Sequence, residues 1–381
     1  MGPEIVILLK RALYGLKQAG NEWYREISSF LRSIGFKVMP REKCVFVHST
    51  IPHLYIGLYV DDGIILAETI EIKDHIVSLI AKKYKLHDRG ELTELLGVQF
   101  ERKPDCFEYS LRESIEKLGA QFRIERDLRV TTPLAAHDVP EPHANGLPAD
   151  KEKYNSGLGS VLYIGRIGKP EIMFPVVQLS QFRENPMKVH YRKLTRLMVY
   201  LLNTADAKMT IKQSDLRLEV FSDASFAANY DMRSFYGTLV KFGSTTISWT
   251  CKKQSATAQS TDESEIMGAF ESMRELLYYS RLICEITHGR LKEFNWTGEV
   301  CEICDSHRPV LHIDNKSTIV FCKSGFGKRT KQLAVQYIQL NENLERENYS
   351  VEYVPSKENL ADIFTKNLPF AQIESLMSEI V

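Results

Sequence analysis

The sequence predicts a protein of the α/β and α+β classes, in which mixed sheets are flanked by helices. Short apolar runs of strand-like composition occur in both halves of the chain. Longer segments between these runs carry apolar residues at helical spacing. The stretch between Pro133 and Pro148 holds four prolines and few apolar residues, which predicts a linker. We therefore expect three regions, 1–132, 133–213 and 214–381.

The composition is that of an ordinary globular protein, and 381 residues are enough for two or three domains. The 49 basic and 49 acidic side chains balance, so the net charge gives no support to nucleic-acid binding. No apolar run reaches the length of a membrane span, and the first residues lack the pattern of a secretory signal. We expect an intracellular protein, cytoplasmic or nuclear, without a membrane partner.

The seven cysteines are scattered and odd in number, which is typical of a reducing compartment. Cys301 and Cys304, with His307, have the only metal-like spacing in the sequence. No second cysteine pair completes a zinc site, so we interpret both as reduced thiols.

The first region begins with a predicted helix within residues 1–40, which a β-hairpin follows. Six apolar side chains recur at roughly helical spacing: Leu13, Leu16, Trp23, Ile27, Phe30 and Leu31. Apolar runs at 54–58 and 64–67 then flank Tyr59-Val60-Asp61-Asp62, which predicts a hairpin turn. Thr69 is expected to cap the next helix, and residues 95–100 to form a further strand.

Asp61 and Asp62 are adjacent carboxylates at this turn, and stability gives little reason for the pair. Like charges side by side repel unless a cation lies between them. Magnesium and manganese prefer hard oxygen ligands of this kind. Both residues are therefore candidate metal ligands, although acidic residues are also common in solvated turns.

The second region carries two helical patterns, at about 151–168 and 186–203. The third region changes to strands with one long helix, at 216–222, 235–242, 245–249, about 264–286 (the helix), 310–313 and 349–354. Trp249 lies in one of these strands and is better interpreted as a core residue than as a platform for stacking bases.

Four acidic residues of the third region stand at the ends of predicted elements. They are Asp223 and Asp314 at strand ends, Glu265 near the start of the long helix, and Asp362 at the opening of the final helical segment. Such acids can converge at one edge of a sheet. Each could instead cap or solvate its own element.

The order of these acids resembles the ribonuclease H fold, and more closely that of copia-type LTR retrotransposons. The supporting strings are FSDAS at 221–225, ISWTCKKQ at 247–254, QSTDESE at 259–265, DNKS at 314–317 and NLADIFTK at 359–366. Upstream, ALYGLKQA at 12–19 resembles the helix before the polymerase hairpin of that family, and Pro133-Leu134 and 169–172 resemble later landmarks. The resemblance implies a partial polymerase palm, a helical connection and a ribonuclease H-like domain.

For the nuclease part, the resemblance implies hydrolysis of the RNA strand of RNA–DNA hybrids with two Mg²⁺ or Mn²⁺ ions. Asp223 would bridge both ions, Glu265 and Asp314 would hold one side, and Asp362 the other. Glu263 is an alternative to Glu265. The two cannot face one site together, because residues two apart on a helix point about 200° apart, and we favour Glu265.

For the polymerase part, the resemblance implies that Asp61 and Asp62 are metal ligands and that Gln18 and Tyr59 belong to the nucleotide pocket. A polymerase of this family needs a third metal-binding Asp on an earlier strand, and residues 1–58 contain no Asp. We expect that this chain alone does not synthesise DNA.

The sequence departs from the family pattern at three places. Gly20 stands where the family usually has Pro, and Lys169-Pro170-Glu171 replaces an Arg-Pro-Asp. Residues 329–333 lack a His that the family typically shows. The resemblance implies that the last departure affects product release or metal exchange and leaves the metal ligands in place.

Four basic residues are candidates for phosphate contacts: Lys252, Lys253, Lys328 and Arg329. A solvated basic surface explains them equally well. The implied partners are RNA–DNA hybrid or other nucleic acid, a second copy of the chain, and other Pol and Gag products. Two alternatives to a working nuclease stay open, namely a catalytically silent nucleic-acid-binding relic and a fragment of a longer, active reverse transcriptase polyprotein.

Overall fold

A computed structural model of the chain describes residues 13, 15–142, 146–288, 308–324, 334–346 and 349–381. The described residues form two compact units. One contains the residues up to 92 together with 281–288, and the other contains 93–280 and the residues from 308 onward.

The first unit is a four-stranded antiparallel sheet with two helices. Its elements are α1 (Ala19–Ser33), β1 (Phe36–Val38), β2 (Val45–His48), β3 (Tyr55–Tyr59), β4 (Asp62–Leu66) and α2 (Ile70–Ala81), and the strand order is β1-β2-β3-β4. Leu31, Phe46 and Ile76 are almost fully buried between sheet and helices. The hydroxyl of Thr69 accepts a hydrogen bond from the backbone of Ile72 at 3.4 Å, so the predicted helix cap is confirmed.

The second unit begins with a sheet in which one predicted strand is wrong. The strand expected at 95–100 is two strands, β5 (Glu94–Leu95) and β6 (Val98–Arg102), joined by a tight turn. Leu96 and Gly97 take positive φ angles of 52° and 75° there, and a turn of this kind ends the extended backbone.

This sheet, with order β5-β6-β7-β8, joins distant parts of the chain, because β7 (Cys106–Ser110) pairs with β8 (Met209–Lys212). Around it lie α3 (Arg112–Phe122), α4 (Lys151–Gly168), a short 3₁₀ helix at Pro170–Ile172, α5 (Met173–Ser180) and α6 (Lys188–Asn203). Residues 93–132 therefore pack with the connecting helices, although the predicted first region extends to 132.

A buried ion pair lies where α4 gives way to the 3₁₀ helix. Lys169 and Glu171 are 3% and 4% exposed, and their charged atoms are 3.8 Å apart. Lys169 Nζ also donates to the carbonyl of Thr204 at 2.5 Å. The departure Lys169-Pro170-Glu171 thus still pairs a cation with an acid, and each partner offsets part of the cost of burying the other.

The third sheet is mixed and five-stranded, with the order β11-β10-β9-β12-β13. Its strands are β9 (Leu218–Ser225), β10 (Phe235–Phe242), β11 (Thr245–Lys253), β12 (Val310–Ile313) and β13 (Ser350–Tyr353). The first three are antiparallel, whereas β12 runs parallel to both β9 and β13. Helices α7 (Thr261–His288), α8 (Lys316–Ser324), α9 (Ala334–Glu345) and α10 (Phe370–Ile380) accompany it. This mixed sheet flanked by helices confirms the predicted α/β and α+β class.

The connecting helices and the five-stranded sheet share one hydrophobic core. Phe174 of α5 contacts Phe235 of β10 edge-on, with ring centroids 5.1 Å apart. Trp249 is partly buried against this core, and its indole donates to the carbonyl of Gly165 at 2.9 Å. The connecting helices therefore pack against the sheet near which the four acids lie.

Candidate metal centre

Asp223 lies in the middle of the five-stranded sheet. The sequence placed it at a strand end, but β9 continues to Ser225, so the residue is inside the strand and only 1% exposed. The neighbouring parallel strand β12 aligns Ile313 with Ser222. Asp314, the next residue after β12, therefore arrives beside Asp223, because parallel strands in register end at the same edge.

Glu265 comes to the same place from the start of α7. At Gly268, one turn later, an added Cβ would be 3.2 Å from the Cβ of Ala224, so the missing side chain lets the helix approach β9. Ligand oxygens of Asp223, Glu265 and Asp314 all lie within 4.8 Å of one another. Glu263, the alternative, accepts a hydrogen bond from the backbone of Gln259 at 2.8 Å. Its carboxylate therefore holds the chain just before α7.

Asp362 approaches from another direction and does not belong to that group of three. It lies inside a short 3₁₀ helix, Leu360–Phe364, so the helical segment predicted around it is confirmed, and a separate helix follows from Phe370. Asn359 holds this segment on β9 by donating to the carbonyl of Ser222 at 2.9 Å while its side-chain oxygen caps Ala361. Gly237 makes room for it, since a Cβ there would be 2.6 Å from Phe364 Cβ.

Two residues that sequence reasoning missed complete the cluster. The hydroxyl of Thr365 donates to Asp223 Oδ2. The ammonium of Lys366 lies 2.6 Å from Asp362 Oδ1 and 3.5 Å from Asp223 Oδ2. Gln372 also donates to Asp362, at 3.3 Å. The spacing of four between Asp362 and Lys366 is the signal that could have indicated this pair.

Burial of these acids against one another disfavours their charged forms. Burial raises the pKa of Asp223 to about 7, with Lys366 opposing the rise. Burial, followed by the charges of Asp223 and Asp314, raises the pKa of Glu265 to about 9. Burial also raises the pKa of Asp362, again against Lys366. A divalent cation would relieve this repulsion, and an all-oxygen set of three ligands is what Mg²⁺ or Mn²⁺ accepts. The residues therefore fit such an ion.

The acids of the first unit are arranged differently. Tyr59 pairs with Asp62 across the hairpin, so the turn consists of Val60 and Asp61, and all four residues are exposed. Val60 has a φ of 57°, which is strained for a β-branched residue. The indole of Trp23 donates to its carbonyl at 2.6 Å. Gln18 is exposed directly before α1. Among the described residues, no group of three metal-binding side chains includes Asp61 or Asp62.

The candidate phosphate-binding residues divide into three kinds. Lys252 is exposed on β11. Lys253 is engaged with Asp231 and donates to Gln181 at 2.7 Å, so it stabilises a neighbouring loop. Lys328 and Arg329 lie outside the described residues, as do Cys301, Cys304 and His307. Within the described ranges, no helix combines the length and hydropathy needed to cross a membrane.

The chain is similar in sequence to several known proteins. Residues 2–136 match the family model described as reverse transcriptase (RNA-dependent DNA polymerase). The chain is 28% identical over 370 residues to a retrovirus-related Pol polyprotein from transposon RE2 of Arabidopsis thaliana, covering 96% of this chain and 24% of the relative. It is 29% identical over 392 residues to one from transposon TNT 1-94 of Nicotiana tabacum, covering 99% and 28%.

The chain thus spans about a quarter of the length of these relatives. Among solved structures, one similar chain is the N-terminal RNase H domain of a Mycobacterium tuberculosis protein, fused to maltose binding protein. It has a TM-score of 0.25 and 13% identity, and covers 43% of this chain and 98% of that one. The matches to Pol polyproteins confirm the resemblance that the motifs predicted.

Proposed function

We propose that this chain, a relative of the Pol polyproteins of copia-type retrotransposons, hydrolyses the RNA strand of RNA–DNA hybrids at the acidic cluster of its five-stranded sheet. The observation that carries the proposal is the convergence of Asp223, Glu265 and Asp314 from three separate elements to within 4.8 Å. Stability alone would disfavour this arrangement, because three like charges so close together repel and two of them, Asp223 and Glu265, are buried.

The proposed cofactor is Mg²⁺ or Mn²⁺, with two ions per site. Asp223, Glu265 and Asp314 would hold one ion, and Asp223 and Asp362 the other. Bound divalent ions lower the pKa of the attacking water and neutralise charge on the phosphate and the leaving oxygen. The chain contributes a fixed geometry, since Asp223 is set by the strand register and Asp362 by the contacts of Asn359 and Gly237.

The proposed substrate is an RNA–DNA hybrid. Of the two candidate lysines that the structure describes, Lys252 is the better one for a phosphate contact, since Lys253 is engaged with Asp231. Self-association and contact with other Pol and Gag products stay proposals of the same kind. Proteins tell a hybrid from duplex DNA by helix shape and 2′-hydroxyl contacts.

For the polymerase part, we propose that this chain alone does not copy a template. Asp61 and Asp62 supply two carboxylates, and residues 1–58 supply no further Asp. The two-metal transfer of a phosphoryl group needs that third ligand. Template-directed incorporation of nucleotides by the purified chain would contradict this proposal.

The test of the nuclease is cleavage of an end-labelled RNA–DNA hybrid in Mg²⁺ or Mn²⁺ by wild type and by Asp314→Asn. We expect wild type to cut only the RNA strand and the variant to lose about a hundredfold or more in rate. Mutating even a residue that only hydrogen-bonds to a metal ligand lowers metal affinity or activity by about 10- to 100-fold. Asp215→Asn, an exposed acid outside the cluster, is the matched control and should cut like wild type. Folded wild type that cuts no hybrid would indicate a silent, binding-only relic.

A further inference from the structure

Lys366 reaches into the acidic cluster on the side of Asp362. Its ammonium lies 2.6 Å from Asp362 Oδ1 and 3.5 Å from Asp223 Oδ2, so it stands between two carboxylates. The side chains of Asp223 and Asp362 are 2% and 5% exposed, whereas that of Lys366 is 41% exposed. The ammonium therefore lies close to two buried carboxylates while part of the Lys366 side chain stays exposed to solvent.

The local backbone directs this side chain to the cluster. The 3₁₀ helix ends at Phe364, and the next two residues both contact the acids, Thr365 through its hydroxyl to Asp223 and Lys366 through its ammonium. Asn359 and Gly237 hold the preceding turn against β9 and β10. The lysine is thus placed by the same segment that places Asp362.

We infer that Lys366 is a resident cation at the position between Asp223 and Asp362, and that it must swing out before a second divalent ion can bind there. The inference rests on the proposed function and adds an order to it. The first ion would be held by Asp223, Glu265 and Asp314, a group that does not include Asp362. The second ion competes with a covalently tethered ammonium and therefore binds more weakly.

The physical reason is that an ammonium and a metal ion cannot share the space between the same two oxygens. An ammonium is a compact point charge that donates up to three hydrogen bonds, so it satisfies carboxylates much as a small cation does. It carries one charge instead of two, so it leaves part of the repulsion among the acids in place. The partial exposure of the Lys366 side chain gives the ammonium a route out toward solvent.

The experiment is a titration of the full chain with Mn²⁺ in the absence of nucleic acid, followed by calorimetry and by the electron paramagnetic resonance of free Mn²⁺. Wild type should bind one ion, and a second at least about tenfold more weakly, a gap of about 1.4 kcal/mol. In Lys366→Met the second ion should bind at least about tenfold more tightly than in wild type. Lys357→Met, which removes an exposed lysine of the neighbouring 3₁₀ helix, should leave both affinities unchanged.

Thermal melting separates this role from a purely structural one. In EDTA, Lys366→Met should melt at a lower temperature than wild type because the acids lose their counter-charge. Mn²⁺ should restore the melting temperature of the variant to that of wild type. A loss of stability that Mn²⁺ does not restore would assign the lysine to the fold alone and overturn the inference. Lys366→Gln, which keeps a donor for Asp362, replaces the Met variant if the latter does not fold.

The outcomes also separate this inference from the proposed function. Cleavage that depends on Asp314, together with an unchanged second Mn²⁺ affinity in Lys366→Met, overturns the role of Lys366 alone. A tightened second ion without cleavage of the hybrid supports that role and overturns the proposed activity. Folded wild type and variant that bind no Mn²⁺ overturn both.

Discussion

The two acidic sites of this chain differ in how their carboxylates are brought together. In the first unit, Asp61 and Asp62 are neighbours in sequence and lie exposed at a hairpin tip. In the second unit, Asp223, Glu265 and Asp314 are separated by about forty residues or more along the chain, yet their oxygens meet within 4.8 Å. Adjacency in sequence gave an exposed pair, whereas packing of a helix on a mixed sheet gave a buried cluster.

The contrast indicates that burial, more than the number of acids, makes a carboxylate cluster require a cation. Exposed carboxylates are solvated by water and repel weakly. Buried ones must be protonated, paired or bound to metal. In the second unit, Lys366 pairs with two of them and the pKa of Asp223 and of Glu265 is raised by burial.

The largest expected effect distinguishes two glutamates of one helix. Glu265→Gln should lower the rate of hybrid cleavage by about a hundredfold or more, since it removes a metal ligand. Glu263→Gln should lower it far less, because Glu263 accepts from the backbone of Gln259 and stands outside the cluster. The rates are compared at saturating Mg²⁺, with circular dichroism as a check on folding. Equal losses in both variants would contradict the assignment.

The next effect is a pH dependence of stability in the second unit. Asp223 and Glu265 have ordinary pKa values near 4, which burial raises to about 7 and about 9 in the folded chain. Between its ordinary pKa and its raised pKa, each of these acids holds a proton in the folded chain that it has released in the unfolded chain. The free energy of unfolding therefore falls as pH rises through that range. The slope is at most about 1.4 kcal/mol per pH unit for each such proton.

Melting temperatures in EDTA from pH 5 to pH 8 test this dependence. They should fall with pH in wild type, fall less in Asp223→Asn, and fall less when Mg²⁺ is present. Asp62→Asn is the control from the first unit, and as an exposed substitution it should change stability by about 0.5 kcal/mol or less and leave the slope as in wild type. A melting temperature that rises over this range would contradict the burial argument.

The smallest effect concerns the glycine that admits the Asp362 segment. Gly237→Ala places a Cβ 2.6 Å from Phe364 Cβ and 2.9 Å from the carbonyl of Ala361. We expect a loss of stability of about 1 to 3 kcal/mol from overpacking, measured by urea denaturation, and slower cleavage because Asp362 shifts.

Gly159→Ala is the matched control for that substitution. It lies within α4, and nothing approaches its position within 4 Å. There the added methyl should stabilise the helix by about 0.5 to 1 kcal/mol. Similar losses in the two variants would show that the close approach at Gly237 does not matter.

Much of the fold could be predicted from the chain alone, because the periodicity of apolar residues reports local structure directly. The long helix, the strand at 310–313 and the cap at Thr69 agree with the structure. One error occurs where a backbone turn interrupts an apolar run, since Leu96-Gly97 divides a predicted strand. The helical segment predicted at 359–364 is present as a 3₁₀ helix, Leu360–Phe364, which Asn359 caps.

The identity of the acids, their order along the chain and the family that they resemble could all be read from the sequence, since motifs are properties of linear order. Which of these acids meet depends on the tertiary structure. Parallel pairing of β12 with β9 sets Asp314 beside Asp223, and the close approach of α7 at Gly268 brings in Glu265. Glu263 instead accepts from the backbone of Gln259, just before the helix. Lys366 pairs with Asp362 through their local spacing, but it reaches Asp223 only through tertiary packing. A contact between distant segments depends on strand register and close packing, which no local pattern encodes.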